Sequence, residues 1–178
     1  MERFEVKRGL IKTINSEGGL KSLADKHFEN VNSAENQGFS ASWGLMTGIL
    51  AHYDEDGKLV VDVQQLKGID LQNFLEKEGG REGAMESRKR WSAFLDESTG
   101  YNAKQRGDKA KENGKKVAKA KSGINMARKL MQLSSKVDDD MRAKAEEMIA
   151  EVEQKLEEGN ATRALSLSDK INKMLEGK

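Results

Sequence analysis

The chain has 178 residues, of which 36% are hydrophobic and 34% charged, and its formal net charge is +1. It contains no Cys, which excludes disulfides, Cys-ligated zinc, iron–sulfur clusters and thiol nucleophiles within this sequence. It has no run of about 18 apolar residues and no apolar segment at its start, so we expect a cytoplasmic protein that does not cross a membrane.

The first hundred residues predict a small α+β unit. Alternating Phe4 and Val6 predict a short strand, which a turn of helix follows. After a Gly-Gly break, apolar residues at helical spacing predict a helix over residues 19–30. Residues 30–37 are mainly polar and predict a loop.

A β-hairpin is the strongest strand signal in the chain. Apolar residues alternate with small or polar ones over 41–53 and again over 58–65. Residues 54–57, Asp-Glu-Asp-Gly, predict the turn between them. These acids also suggest a calcium loop, but that loop would place His52 first and Val63 last, and neither is an acidic ligand. We therefore interpret the segment as a turn.

Two helices are predicted to complete this first domain. Asp70 is placed to cap a short helix, which a second Gly-Gly pair ends. A longer helix over 82–97 directs Trp91 toward the core. Gly100 is predicted to end that helix in a left-handed conformation. The domain is therefore predicted to span residues 1–101.

Residues 102–178 are predicted to be an all-helical extension: a basic helix over 102–134 and a helical hairpin over 138–176. Small apolar residues recur every seven positions along the basic helix: Ala103, Ala110, Val117, Ile124 and Met131. Ser122-Gly123 leaves open the alternative that this helix divides into two. The predicted fold class is α+β, a small antiparallel sheet with packed helices, followed by the long basic helix and the hairpin.

The charge is concentrated in the basic helix. Residues 104–129 hold ten Lys or Arg and two acids, a local charge of +8, whereas residues 1–103 sum to −4 and residues 130–178 to −3. Such a run favours contact with nucleic acid or another polyanion. The residues predicted to make that contact are basic and lie in or near this run: Arg88, Lys89, Arg90, Lys104, Arg106, Lys109, Lys111, Lys115, Lys116, Lys119 and Lys121.

Two other interpretations of the basic helix remain open. The acidic hairpin contains Asp138, Glu146 and Glu153 among its carboxylates, and it would neutralise the lysines if it packed along them. Alternatively, the helix is a solvated arm that keeps the chain soluble. Trp91 also has two interpretations, a core residue or a base-stacking partner for Arg88–Arg90, and its helical spacing favours the core.

No catalytic, metal or cofactor site is predicted. The two histidines, His27 and His52, fall on a helix and a strand without a recognisable third ligand, and neither Gly-Gly pair has the Lys-Ser/Thr of a phosphate loop. We therefore predict a non-enzymatic binding protein that contacts nucleic acid or another polyanion. The alternative is a protein-interaction or assembly module that pairs with a protein partner or with itself through the helical seam and the apolar stripes of the hairpin. An enzyme that uses carboxylates alone stays open as a third interpretation.

Several segments together resemble a small archaeal family of uncharacterised proteins, over about residues 2–115. The segments that carry the resemblance are Phe4-Glu5-Val6-Lys7-Arg8-Gly9, Ser42-Trp43-Gly44-Leu45-Met46, Leu59-Val60-Val61-Asp62-Val63, Arg90-Trp91, Phe94-Leu95 and Thr99-Gly100-Tyr101-Asn102-Ala103-Lys104-Gln105-Arg106, which runs into Lys109-Ala110-Lys111. The resemblance implies an archaeal source and an α+β unit that ends in a basic tail. It implies no activity, and the C-terminal hairpin lies outside it.

Overall fold

The computed structural model describes residues 1–134 and 137–177. The helices and strands follow one another as β1 Glu2–Phe4, α1 Leu10–Ser16, α2 Gly19–Asp25, β2 Glu29–Ser33, β3 Phe39–Trp43, β4 Met46–Tyr53, β5 Leu59–Gln65, α3 Gly68–Glu76, α4 Gly80–Thr99, α5 Ala103–Leu133, α6 Asp139–Glu157 and α7 Ala161–Glu176. This confirms the predicted α+β class with a long helix and a C-terminal hairpin. The chain forms two compact units, unit 1 over Met1–Gly107 and unit 2 over Asp108–Lys178.

Unit 1 is built on one five-stranded antiparallel sheet with the order β1-β5-β4-β3-β2. The apolar residues of alternating positions meet on one face, where Ala51 of β4 pairs with Val61 of β5. Helices α1, α2 and α4 supply the other side of this core. The buried residues are Ile14, Leu20, Leu23, Ala24, Phe28, Phe39, Ala41, Met46, Ile49, Ala51, Leu59, Val61, Phe94 and Leu95.

The segment predicted as one strand over 41–53 is in fact two strands. Gly44 has a φ of 50° and reverses the chain between β3 and β4. The N–H of Leu45 donates to Ser87 Oγ at 3.1 Å, which ties this turn to α4. The prediction of a single strand was wrong because the pattern alternates through the turn, and one Gly supplies the conformation that breaks it.

An edge strand, β2, lies where a helix end and a loop were predicted. Helix α2 ends at Asp25 rather than near residue 30, and Glu29–Ser33 pairs antiparallel with β3. Val31 is the residue of β2 that packs on the core, while its neighbours are exposed. An edge strand with one apolar residue on the core shows almost no alternation of apolar and polar residues. Its polar composition therefore predicted a loop.

The local signals at 54–57 and at residue 70 had different outcomes. Asp54 Oδ1 accepts the N–H of Lys58 at 2.9 Å, and Gly57 has a φ of 72°, so the segment is the predicted turn. Asp70 was wrongly predicted as an N-cap, because the cap position of α3 belongs to Lys67. Asp70 lies in the first turn instead, where its negative charge interacts favourably with the positive end of the helix dipole.

The junction between α4 and α5 explains the segment Thr99–Arg106. Gly100 has a φ of 73° and ends α4, as predicted. Asn102 and Gln105 then cap α5 reciprocally, since the side-chain oxygen of each accepts the backbone N–H of the other at 2.9 and 3.0 Å. Arg106 is buried and donates to Asp96 and to the Tyr101 carbonyl. The segment therefore works as a rigid helix–helix joint within unit 1.

Unit 2 buries the second half of α5 against α6 and α7. Its core contains Ala120, Ile124, Ala127, Met131, Val137, Ala145, Ile149, Val152, Ala164, Leu167, Ile171 and Leu175. The predicted seven-residue seam is therefore shorter than expected, since Ala103 and Ala110 are exposed. Asp138 and Asn160 cap α6 and α7 by accepting backbone N–H groups at 2.8 and 3.1 Å.

The predicted basic helix over 102–134 is one helix, α5, and the alternative of a break at Ser122-Gly123 does not occur. The helix runs unbroken from Ala103 to Leu133, and α7 approaches closely at Gly123. A Cβ there would lie 2.8 Å from Ser168 Oγ and 2.9 Å from Ser168 Cβ, and the Gly123 carbonyl accepts from Asn172 Nδ2 at 3.1 Å. Glycine therefore allows two helices to pack, and a sequence pattern does not distinguish that use from a break.

Substituting Ala at two glycines of α5 is expected to give opposite results. The Cβ that Gly114→Ala introduces has no atom within 4 Å. This variant should raise the free energy of unfolding by about 0.5–1 kcal/mol, because Ala has the higher helix propensity. Gly123→Ala should lower it by about 1–2 kcal/mol, because overpacking against buried Ser168 outweighs the same propensity gain. Urea unfolding followed by circular dichroism measures both. Equal stabilisation by the two variants would contradict the packing role of Gly123.

Candidate polyanion-binding surface

The predicted basic residues of α5 divide into exposed lysines and residues with partners. Lys109 and Lys116 bind Glu112 at 3.2 and 3.1 Å, and Lys116 also donates to Thr162 at 3.2 Å. The other predicted lysines of α5 are exposed and make no hydrogen bond or ion pair with any residue that the structure describes: Lys104, Lys111, Lys115, Lys119 and Lys121.

Helix geometry aligns part of this set within unit 2. At about 100° per residue, Lys111, Lys115, Lys119 and Lys129 fall within about 80° of one another and on the side opposite buried Ile124. We call these four residues the outer lysine face. Lys129 was not among the predicted site residues, although it lies in the basic run. Its spacing of 18 residues from Lys111, which is five helical turns, is the sequence signal that could have identified it.

The hairpin leaves this face open. Arg128 Nη2 lies 2.9 Å from Glu153 Oε1, which joins α5 to α6 on the flank of the helix. Glu151 of the hairpin lies 3.8 Å from Arg163, so that pair joins α6 to α7. The four lysines of the outer lysine face have no acidic partner among the residues described in unit 2. Their charge is therefore available to an anion from outside.

Glu112 reduces the charge on the other flank of α5. Hydrogen bonds from Lys116 and Lys109 hold the pKa of its carboxyl below the ordinary value of a glutamate, with their positive charges adding to the effect. Glu112 thus stays ionised at neutral pH beside Lys109 and Lys116, which are not on the outer lysine face. Asp108, the other acid of α5, falls in the same angular sector as the outer lysine face, about one turn before Lys111.

The cluster Arg88–Arg90 is only partly exposed. Arg90 lies over the Trp43 ring with its Cζ 3.9 Å from the ring centroid, and it donates to Glu86 and to the His27 carbonyl at 3.0 and 3.2 Å. Lys89 lies 4.0 Å from Glu86, and Arg88 is exposed. Trp91 packs against the core of unit 1. Arg90, like Arg106, is thus engaged in contacts that hold unit 1 together.

The two histidines of the chain are both in unit 1. His27 is buried with its Nε2 3.3 Å from Glu97 Oε1. His52 lines a hollow of about 300 Å³ on the sheet face opposite the core, beside Leu50 and Asp62. Within residues 1–134 and 137–177, no three His, Asp or Glu side chains are grouped to hold a metal ion. The hollow was not predicted, because alternate polar residues of a strand ordinarily indicate a solvated face.

Unit 2 carries charge but no aromatic side chain. Residues 108–178 contain no aromatic residue and no His. Stacking of bases on aromatic rings is therefore not available in unit 2, so charge and hydrogen bonding are the contacts that this unit offers a polyanion. Along the described part of the chain, every helix is too short or too polar to cross a membrane.

A family model described as "Domain of unknown function (DUF5611)" matches residues 1–112. The match covers all of unit 1 and ends on α5 directly after Lys111. Comparison with curated proteins gives no match, and comparison with solved structures gives none either. The helical core of unit 2 lies beyond the matched span.

Proposed function

We propose, for a chain that belongs to the family described as Domain of unknown function (DUF5611), a non-enzymatic role in binding nucleic acid through the outer lysine face. Family membership confirms the resemblance drawn from segments within residues 2–115, and the family's description carries no activity. The observation that carries the proposal is the exposure of Lys111, Lys115, Lys119 and Lys129, which have no acidic partner within residues 1–134 and 137–177.

The chemistry of this face favours the phosphate backbone as its ligand. Four ammonium groups on one side of a straight helix form an extended positive strip, and Lys111 and Lys129 are about 27 Å apart along it, given a rise of about 1.5 Å per residue. Phosphates of a duplex present charge over the same length without regard to sequence. Because the face has no aromatic neighbour in unit 2, we propose a duplex rather than a single strand as its preferred ligand.

Fluorescence anisotropy with two unrelated 20-base-pair duplexes, measured against salt, tests this function. Four phosphate contacts should give a slope of about −3.6 in log K against log salt, hence a loss of about 100-fold in affinity between about 50 and 200 mM salt. Both duplexes should bind equally, and a single strand of the same length should bind more weakly. Absence of binding at about 50 mM salt would refute the proposal.

The assembly alternative receives less support in its original form. It relied on the seam of α5 and on the apolar stripes of the hairpin, and the seam residues Ile124 and Met131 are buried inside unit 2, as are Ile149 and Ile171 of the stripes. They are consequently not available to a second chain. A cytoplasmic location and an archaeal source remain part of the proposal; the absence of Cys supports the former and the resemblance supports the latter.

A further inference from the structure

Two large apolar side chains are exposed on α5 beside the outer lysine face. Met126 is 53% exposed and Leu133 is 84% exposed. They are seven residues apart, so they lie on the same side of the helix, with Lys129 between them and on the same flank. Exposed apolar residues at this spacing, bordered by an unpaired cation, are typical of a helix face that receives another helix.

The outer side of α6 has the complementary pattern. Ala143 and Ala150 are exposed and are also seven residues apart, with Glu146 exposed between them. Small residues at these positions leave room for large ones, and the carboxylate matches the ammonium group. In an antiparallel arrangement one register aligns Met126 with Ala150 and Leu133 with Ala143, and it places Lys129 within one residue of Glu146.

These two surfaces cannot meet within one chain. Helices α5 and α6 of the same chain contribute Ile124 and Ile149 to one buried core and are joined by the Arg128–Glu153 ion pair, and both patterns lie on outward sides. We infer that a second copy of this chain docks the outer side of its α6 against Met126, Lys129 and Leu133 of α5. The contact joins α5 of one copy to α6 of the other. Lys111, Lys115 and Lys119 lie outside it.

The predicted contact is small, so the association should be weak. Two apolar anchors and one ion pair fall in the class of transient interfaces, and we expect a dissociation constant on the order of 100 µM. Sedimentation velocity of the full chain at about 50 mM salt, from 10 µM to 1 mM, should show association that increases with concentration. A chain that stays monomeric over this range would overturn the inference.

Substitutions identify the surface. Met126→Gln with Leu133→Gln should shift the dissociation constant upward by at least about tenfold, since both anchors lose apolar burial. Met85→Gln is the matched control, because Met85 is 72% exposed in unit 1 and should leave the association unchanged. Equal association of the double variant and the wild type would overturn the inference. So would binding to vesicles of anionic lipid that requires Met126 and Leu133 in a chain that does not self-associate.

The absence of native Cys allows a direct test of the register. Chains with Lys129→Cys and chains with Glu146→Cys, mixed and mildly oxidised, should give a disulfide-linked heterodimer, because the register places the two positions within one residue of each other while the anchors remain. Asp169→Cys replaces Glu146→Cys in the control, since Asp169 is exposed on α7. Equal yields from both mixtures would overturn the proposed register.

Discussion

Replacing Phe94 by Ala is expected to lower the free energy of unfolding of unit 1 by about 3–5 kcal/mol. Phe94 is fully buried, and its ring centroid lies 5.1 Å from Phe28, 5.4 Å from Phe39 and 5.7 Å from Trp91. These contacts join α4 to β3 and to the segment that follows α2. The loss combines the transfer free energy of the ring with the cavity that its neighbours are unable to close.

Tryptophan fluorescence measures this change in unit 1 alone, since Trp43 and Trp91 are the two tryptophans of the chain and both precede residue 107. Urea unfolding curves should shift to lower concentration with an unchanged slope. Met85→Ala, an exposed position on the same helix, is the control and should stay within about 0.5 kcal/mol of the wild type. A loss below about 1 kcal/mol in Phe94→Ala would contradict the central role of this ring.

Replacing Lys111, Lys115 and Lys119 together by Gln is expected to weaken duplex binding by about 100- to 1000-fold at about 0.1 M salt. Each lost phosphate contact removes about 0.9 from the slope of log K against log salt, so the slope should become less steep by about 2.7. The reduction should be the same for unrelated duplex sequences, because phosphate contacts do not read bases. Anisotropy titrations at four salt concentrations supply both quantities.

The control is a second triple variant that has the same net charge as the first. Lys12, Lys67 and Lys77 are exposed in unit 1, and their joint replacement by Gln removes the same three charges from elsewhere in the chain. This variant should retain the salt slope of the wild type. If the two triple variants lose affinity equally, overall charge rather than the outer lysine face accounts for binding, and the proposed function fails while self-association through Met126 and Leu133 stays testable.

Strong periodicity was sufficient to predict the helical hairpin and the fold class. The apolar stripes of α6 and α7 identify the elements, and Asp138 and Asn160 provide cap hydrogen bonds near their starts. The β2 strand was not predictable in the same way. Its position at the edge of the sheet leaves Val31 as its contact with the core, and its pairing with β3 depends on backbone groups that carry no sequence signal.

The candidate site was predictable in charge but not in geometry. The +8 run is visible in composition, yet the sequence does not separate Lys115, which is exposed, from Arg106, which is buried against Asp96. That difference arises because Arg106 lies one turn beyond the joint at Gly100 and reaches back to α4. Gly123 is a second case in which the sequence does not determine the geometry. Glycine is favoured both where two helices pack closely and where a helix ends, so its presence does not distinguish the two.

The unbroken course of α5 has a consequence for local opening. No residue from Gly107 to Lys119 is buried, while Arg106 before this stretch and Ala120 after it are. Gly107 and Gly114 each cost about 1 kcal/mol of helix stability relative to Ala, and there is no core on this stretch to offset them. Its amide protons should therefore exchange with solvent through openings of a few residues, long before either core exchanges. If a bound polyanion makes these openings rarer, the amide protons of residues 111–119 should exchange with solvent more slowly in its presence.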